Sequence, residues 1–335
     1  MSVSTNEMTR ALQARFEAAG FAPVEPPVLA DAAIFLDRSG EDIRRRTYIF
    51  NSPDGTELAL RPDLTVPTAL TYIDGLAPAA AKLTYAGPAF RVPRPEEAAA
   101  AREATHVGFE WFGGSGDVAE DVAVSRETFA TCEAMGLTDY EVKIGHVGLF
   151  RAMIAALPLT EQVRDKLRRR FSTPSGFAAL LEALANPAQD GDAGGVAAAL
   201  AALPDEAARR AMMDEMLSLA NVQPAGGRSL EDIAGRLLQK AEALAAPAVG
   251  DDVLDRLRAF MALNGPAAAT LEQAKALVGD LGDAVVAPLE SLTAVLGAIG
   301  DRPVTLSTTF GRSMDYYTGI VFEVRAPKVP EGAIA

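Results

Sequence analysis

Three features of this sequence predict an α+β fold. The first 150 residues hold short strand-like segments joined by hairpin signals. A long Ala- and Leu-rich stretch follows, in which β-branched residues are sparse, and strand character returns near the end. Hairpin-linked strands make the sheet largely antiparallel, with helices flanking it. The expected organisation is a core of residues 1–150 and 285–335, interrupted by an all-helical insertion at 151–284. At 335 residues the chain is long enough for about two such bodies.

Each element has a local reason. Thr5 to Ala19 reads as a helix because Met8, Leu12 and Phe16 recur every four residues, and Gly20 stops it. FAPVEPPVL is extended, and its prolines place it at an edge or an interface. Two short strands, RTYIFN and ELALR, flank SPDGT, where Asp54-Gly55 signals a hairpin. Pro62 is read as opening a helix in RPDLTVPTALTYIDG. KLTYAGPAFRV and THVGFEWFG are two further strands, joined by a loop from Pro93 to Glu103. A helix at Val118–Met135 and a strand at Tyr140–Ile144 complete the first half.

In the insertion, amphipathic patterns predict helices at Glu161–Phe171, Ser175–Ala185, Glu206–Ala220, Ser229–Ala246, Asp251–Leu263 and Leu271–Leu281. The Ala/Gly-rich Pro187–Pro204 is read as partly mobile. A helix at Val285–Ile299 then leads to the strand VTLSTTF, a GRSMD turn and the strand YYTGIVFEVRA.

Charge and composition exclude several functions. Acidic side chains outnumber basic ones 45 to 31, and the net charge of −14 repels phosphate backbones. No nucleic-acid partner is expected. The one dense basic run, Arg164 to Arg170, is read as a solvated helix face rather than an anion- or partner-docking surface. One cysteine, Cys132, permits no internal disulfide and fits a reducing compartment; its apolar helical setting marks it as core. With one cysteine and two histidines 40 residues apart, no metal site is expected. The N-terminus lacks a signal-peptide pattern, and no apolar run spans a bilayer. The protein is therefore expected in the cytoplasm, away from membranes. Phosphate-binding glycine loops and nucleophile elbows are absent.

Three clusters could carry chemistry. In LRPDLT, Asp63 and Thr65 sit at a strand-to-helix junction, either as helix-start residues or as acceptors for a ligand ammonium. In GPAFRVPRP…THVGFEWFG, Arg91 shares a strand face with Pro93, and His106 shares one with Gly108 and Glu110. Glu110 is a charge in an apolar strand and needs a partner, either a cationic or hydrogen-bonding ligand or a structural arginine. In GRSMDYY, Arg312, Tyr316 and Tyr317 make either a polar pocket or a sheet corner.

At these clusters the sequence resembles the core of class II aminoacyl-tRNA synthetases, specifically histidyl-tRNA synthetase. FEAAGFAPVEPPVL is similar to motif 1, which forms dimers, and GPAFRVPRP…FEWFG to motif 2. LRPDLT and GRSMDYYTGIVFE are similar to the histidine-binding segments. The resemblance implies that Asp63 and Thr65 hold the amino acid's α-amino group. It implies that Glu110 and Tyr317 read the imidazole, and that Arg91 and Arg312 face its carboxylate and the phosphate side. Tyr316 completes the implied pocket, and His106 stands where the family has a glutamine near the α-amino group.

The departures point away from catalysis. The family's motif 2 reads R-x-E, with its glutamate on ATP, whereas here it reads Arg91-Val92-Pro93, and the following loop is acidic and alanine-rich. The family continues past the FE strand into a Gly-rich strand and a further arginine-bearing motif, and this chain ends at EGAIA before them. Together with SGEDIRRRTYIFNSPDGTELALRPDLTVP, these features resemble the regulatory subunits of ATP phosphoribosyltransferase. The resemblance implies a non-catalytic subunit with no cofactor of its own. It implies activation of a short catalytic subunit in the first step of histidine biosynthesis, and feedback inhibition by histidine. A self-dimer through motif 1 and a hetero-octamer of four subunits each are also implied. The alternatives are a histidine-activating ligase and a histidine-binding relative that regulates another enzyme.

Overall fold

The computed structural model describes residues 5–36, 41–75, 77, 79–93, 101–171, 173–185, 199–200, 202–219, 249–311 and 317–326. Helix α1 (Thr5–Ala18) presents Met8, Leu12 and Phe16 as one stripe, and Gly20 ends it with φ +89°. The proline segment gives two short strands, β1 (Ala22–Pro23) and β2 (Leu29–Asp31), followed by short helices α2 (Ala32–Leu36) and α3 (Glu41–Arg46). Strands β3 (Ile49–Asn51) and β4 (Glu57–Leu60) form the hairpin signalled by Asp54-Gly55. Gly55 supplies the positive φ of +88°, and the Asp54 carboxylate accepts the Thr56 amide at 3.0 Å.

Strand β2 pairs with the other edge of β4, giving a three-stranded antiparallel sheet. One face buries Ala59 against Ala32 and Phe35. The opposite face carries Leu29, Leu58, Leu60 and Phe50 by alternation, with Leu29 45% and Phe50 42% exposed.

Helix α4 (Thr65–Gly75) starts later than the expected Pro62. Asp63 ends its own extended backbone with a cap, its carboxylate accepting the Val66 amide at 3.1 Å, so Pro62 stays outside the helix. Strands β5 (Ala81–Phe90) and β6 (Glu103–Phe112) pair antiparallel over ten residues, and β1 lies parallel to β5. One face of this hairpin sends Val107 and Phe109 onto the α1 stripe, where the Phe109 ring lies 4.9 Å from Phe16 and 4.7 Å from Phe21. Helix α5 (Val118–Ala134) is capped by Asp117 and holds Cys132 fully buried.

Strand β7 (Glu141–His146) runs without a loop into α6 (Val147–Ala156). Four further helices follow: α7 (Glu161–Arg170), α8 (Pro174–Ala185), α9 (Glu206–Leu219) and α10 (Asp251–Ala262). The chain then forms β8 (Asn264–Pro266), α11 (Ala267–Val278), α12 (Val286–Ile299), β9 (Val304–Ser307) and β10 (Ile320–Arg325). The last sheet has the order β10-β7-β9-β8. Pairing is antiparallel throughout except for β1 with β5 and β7 with β9.

By contact, the chain divides into residues 1–150 with 263–335, and residues 151–262. Residues 263–284, read from the sequence as part of the insertion, group with the first unit. Strand β8 pairs with β9, which binds this segment to the last sheet. Within the second unit, Arg164 donates to the Ile154 and Leu157 carbonyls, and Arg168 pairs with Glu161 and Asp165. Lys166, Arg169 and Arg170 are exposed. The expected Ser229–Ala246 helix, most of the Pro187–Pro204 stretch and the GRSMD turn lie outside the described residues. Among the described residues no helix is long and apolar enough to cross a membrane, and no group of three or more metal-ligating side chains occurs.

His146 joins β7 to α6. Its Nδ1 accepts the Leu149 amide at 3.2 Å, which caps the helix and requires a lone pair. Burial depresses its pKa from 6.5 to about 4, against a smaller upward pull from Asp121. The folded pKa lies below the unfolded one, so this contribution is complete above pH 6.5 and is lost as pH falls toward 4. It amounts to about 3 kcal/mol. His146→Asn keeps an acceptor and should flatten denaturant stability between pH 6.5 and 4; identical pH profiles for variant and parent would refute the assignment.

Candidate functional site

The β5–β6 register places Leu83 opposite Glu110, Tyr85 opposite Gly108 and Gly87 opposite His106. These residues share the hairpin face that points away from α1. Two of the positions are glycine, and each makes room for a specific side chain. A Cβ at Gly108 would lie 2.7 Å from the Tyr85 hydroxyl, and one at Gly87 would lie 2.5 Å from an Arg61 guanidinium nitrogen.

Across Gly108, the Tyr85 hydroxyl donates to Glu110 Oε1 at 3.1 Å and lies 3.4 Å from Thr65 Oγ1 at the start of α4. Burial raises the Glu110 pKa; bonds from Thr65 and Tyr85 pull it down, and the Asp63 charge adds a push upward. Burial, reinforced by the Glu110 charge, raises the Tyr85 pKa, so the phenol stays protonated. The result is one carboxylate flanked by two hydroxyls, an arrangement suited to a ring N–H or a cation.

The other end of the face is basic. Arg91 Nε donates to the Pro62 carbonyl at 2.7 Å, which draws the guanidinium onto the junction that carries Asp63. Arg61 donates to Pro88 O at 2.8 Å and to Pro26 O at 2.5 Å. His106 lies near both arginines and Asp63. Burial and then Arg91 lower its pKa, Asp63 raises it and Arg61 lowers it further. A zwitterion matches this layout, with acceptors at one end and cations at the other.

Of the residues singled out from sequence, Asp63, Thr65, Arg91, His106 and Glu110 come together here. Tyr317 stands at the approach to β10, in the other sheet. Arg312 and Tyr316 lie outside the described residues. Sequence reasoning missed Tyr85 and Arg61. Tyr85 alternates with Leu83 and Gly87, and a glycine opposite a tyrosine, two residues from a strand glutamate, was the available signal. Arg61 is the arginine of LRPDLT itself, but nothing in the pattern marks it as buried.

Comparisons with known proteins agree on one family. A family model described as histidyl-tRNA synthetase matches residues 2–249 and 212–335. The chain is 30% identical over 319 residues to the ATP phosphoribosyltransferase regulatory subunit of Brucella anthropi, covering 93% of this chain and 84% of that protein. It is 32% identical over 328 residues to that of Agrobacterium fabrum, covering 95% and 85%. Among solved structures, an ATP phosphoribosyltransferase regulatory subunit/histidyl-tRNA synthetase from Bacillus halodurans superposes with a TM-score of 0.63 at 20% identity, covering 96% of this chain and 68% of that one. The ATP phosphoribosyl transferase complex from Thermotoga maritima superposes with a TM-score of 0.51 at 13% identity, covering 98% and 89%. These structural likenesses establish the class II aminoacyl-tRNA synthetase-like fold. Matched along its length by that family model and by relatives at 30% identity or more, the chain belongs to the ATP phosphoribosyltransferase regulatory subunit family.

Proposed function

We propose that this chain is a cytoplasmic, non-catalytic regulator that activates a short catalytic subunit of ATP phosphoribosyltransferase and transmits feedback inhibition by histidine. The observation that carries this reading is the Glu110–Tyr85–Thr65 cluster, a partly buried acceptor set that fits an imidazole and lies beside Asp63, His106 and Arg91. Tyr317, Arg312 and Tyr316 are assigned to the same pocket by resemblance. ATP and phosphoribosyl pyrophosphate bind the partner. Pro93, standing where the synthetases carry an ATP-holding glutamate, supports that division of labour.

Histidine acts by preferring one state of the assembly, a coupling that is reciprocal and typically worth about 1–3 kcal/mol. A self-dimer through the motif 1 segment is supported by the exposed apolar face bearing Leu29 and Phe50. Four copies of each subunit complete the proposed assembly.

The test is the phosphoribosyl-transfer rate of the short catalytic subunit, measured with and without this chain while histidine is titrated and the mixture is sized in solution. Activation that histidine reverses is the expected result. No change in rate would reject the regulatory reading. Histidine-dependent ATP–pyrophosphate exchange by this chain alone would reject the non-catalytic one.

A further inference from the structure

At 3% exposure, Arg61 is the most deeply buried charged side chain among the described residues. Its hydrogen-bond partners are two backbone carbonyls, Pro88 O and Pro26 O, and no described carboxylate forms an ion pair with it. A buried cation held only by carbonyls is costly unless its position serves something. Its position is specific. One guanidinium nitrogen occupies the space that a Cβ at Gly87 would need, directly across the hairpin from His106. Its backbone is also fixed on both sides, donating to Val28 O and accepting from Phe90 N at 3.0 Å each. The next two residues bring Pro62, which accepts from Arg91, and Asp63, which caps α4.

We propose that Arg61 is a positioning residue of this pocket: from the space left by Gly87 it fixes the junction bearing Asp63 and Thr65 and sets a cation across the hairpin from His106, whose imidazole is left to accept a hydrogen bond from a ligand ammonium. This rests on the amino-acid-pocket reading above and states how that site is kept selective for a zwitterion. The charged groups acting on His106 are Arg91, Arg61 and Asp63, two cations against one anion. A protonated His106 would be repelled by both arginines and would itself repel an ammonium. Ligand affinity therefore falls as pH drops through the His106 titration.

The protein contains only two histidines, so imidazole NMR on the full chain labelled at histidine reads both directly. In the parent protein without ligand, His106 should titrate below 6.5. Arg61→Gln and Gly87→Ala should each move its midpoint upward, since each removes or displaces one of the cations that oppose His106 protonation. They should also weaken binding of unlabelled histidine about tenfold. His146 serves as an internal control that does not move. If Arg61→Gln fails to fold, Gly87→Ala, which leaves Arg61 itself intact, decides the matter.

A His106 midpoint at or above 6.5 in the parent, or an unmoved midpoint in Gly87→Ala, overturns the proposal. If the midpoints shift as stated but the parent binds no histidine, the ligand reading fails while Arg61's hold on His106 stands.

Discussion

Glu110→Gln is expected to weaken the histidine response by about 10- to 100-fold, read as the histidine concentration that half-inhibits the assembled enzyme. The substitution keeps the shape and removes the charge. A hydrogen bond to a charged, partly desolvated acceptor contributes about 1.5–3 kcal/mol, which converts to that range. The effect is large because Glu110 is half-buried and already oriented by Tyr85 at 3.1 Å, so little reorganisation precedes ligand capture. Tyr85→Phe should do less, since it removes the orienting hydroxyl and leaves the acceptor. The single tryptophan, Trp111, adjoins Glu110 and stacks under the Lys82 ammonium at 3.8 Å, which provides a fluorescence titration independent of the transfer assay. Unchanged histidine midpoints in both variants would remove the pocket from the mechanism.

Gly145→Ala is expected to be the most damaging single-methyl change in the first unit. Gly145 lies in β7 under the turn that follows β9. An added Cβ would collide with the Phe310 carbonyl and lie 2.8 Å from the Ser307 carbonyl. Both obstacles are backbone, and the turn is closed by the Phe310 amide on Ser307 O at 3.1 Å, so neither can rotate aside. Overpacking of this kind costs about 3 kcal/mol. For a unit of this size that lowers the melting temperature by about 6–12 °C. A melting temperature within a degree of the parent would show that the turn yields. Gly148, whose Cβ would meet the Thr318 carbonyl at 2.6 Å and the His146 ring at 2.9 Å, makes a useful comparison because one of its neighbours is a side chain.

What was legible in the sequence follows from which interactions are local. The α1 stripe and the Asp54-Gly55 hairpin rest on spacings and turn chemistry within a few residues, and both stand where they were expected. Strands β5 and β6 were readable because each alternates over ten residues. Helix α6 was not read because it follows β7 with no punctuating residue between them. The start of α4 moved by three residues because the Asp63 side chain captured the Val66 amide, a contest that periodicity does not register.

In the site, the ionic residues drew attention by being out of place in apolar strands. Tyr85 and Arg61 did not, since one looks like an ordinary strand aromatic and the other like a surface cation. Their roles come from two glycines: Gly108, which the strand register sets opposite Tyr85, and Gly87, against which tertiary packing lays the Arg61 guanidinium.

The placement of β8 has a consequence for how this chain could be remodelled. β7 runs parallel to β9, and β8 runs antiparallel to it, with Asn264 level with Ser307 and Ile144 level with Leu306. The chain therefore leaves the sheet after His146 and returns to it at Asn264 at the same end of the strands, two strand spacings apart, or roughly 10 Å. More than a hundred residues hang from two anchor points that a few residues could bridge. Because closure entropy grows only logarithmically with loop length, such a module can be lengthened, shortened or exchanged at little thermodynamic expense to the sheet that carries it. The helical unit is in that sense a cassette.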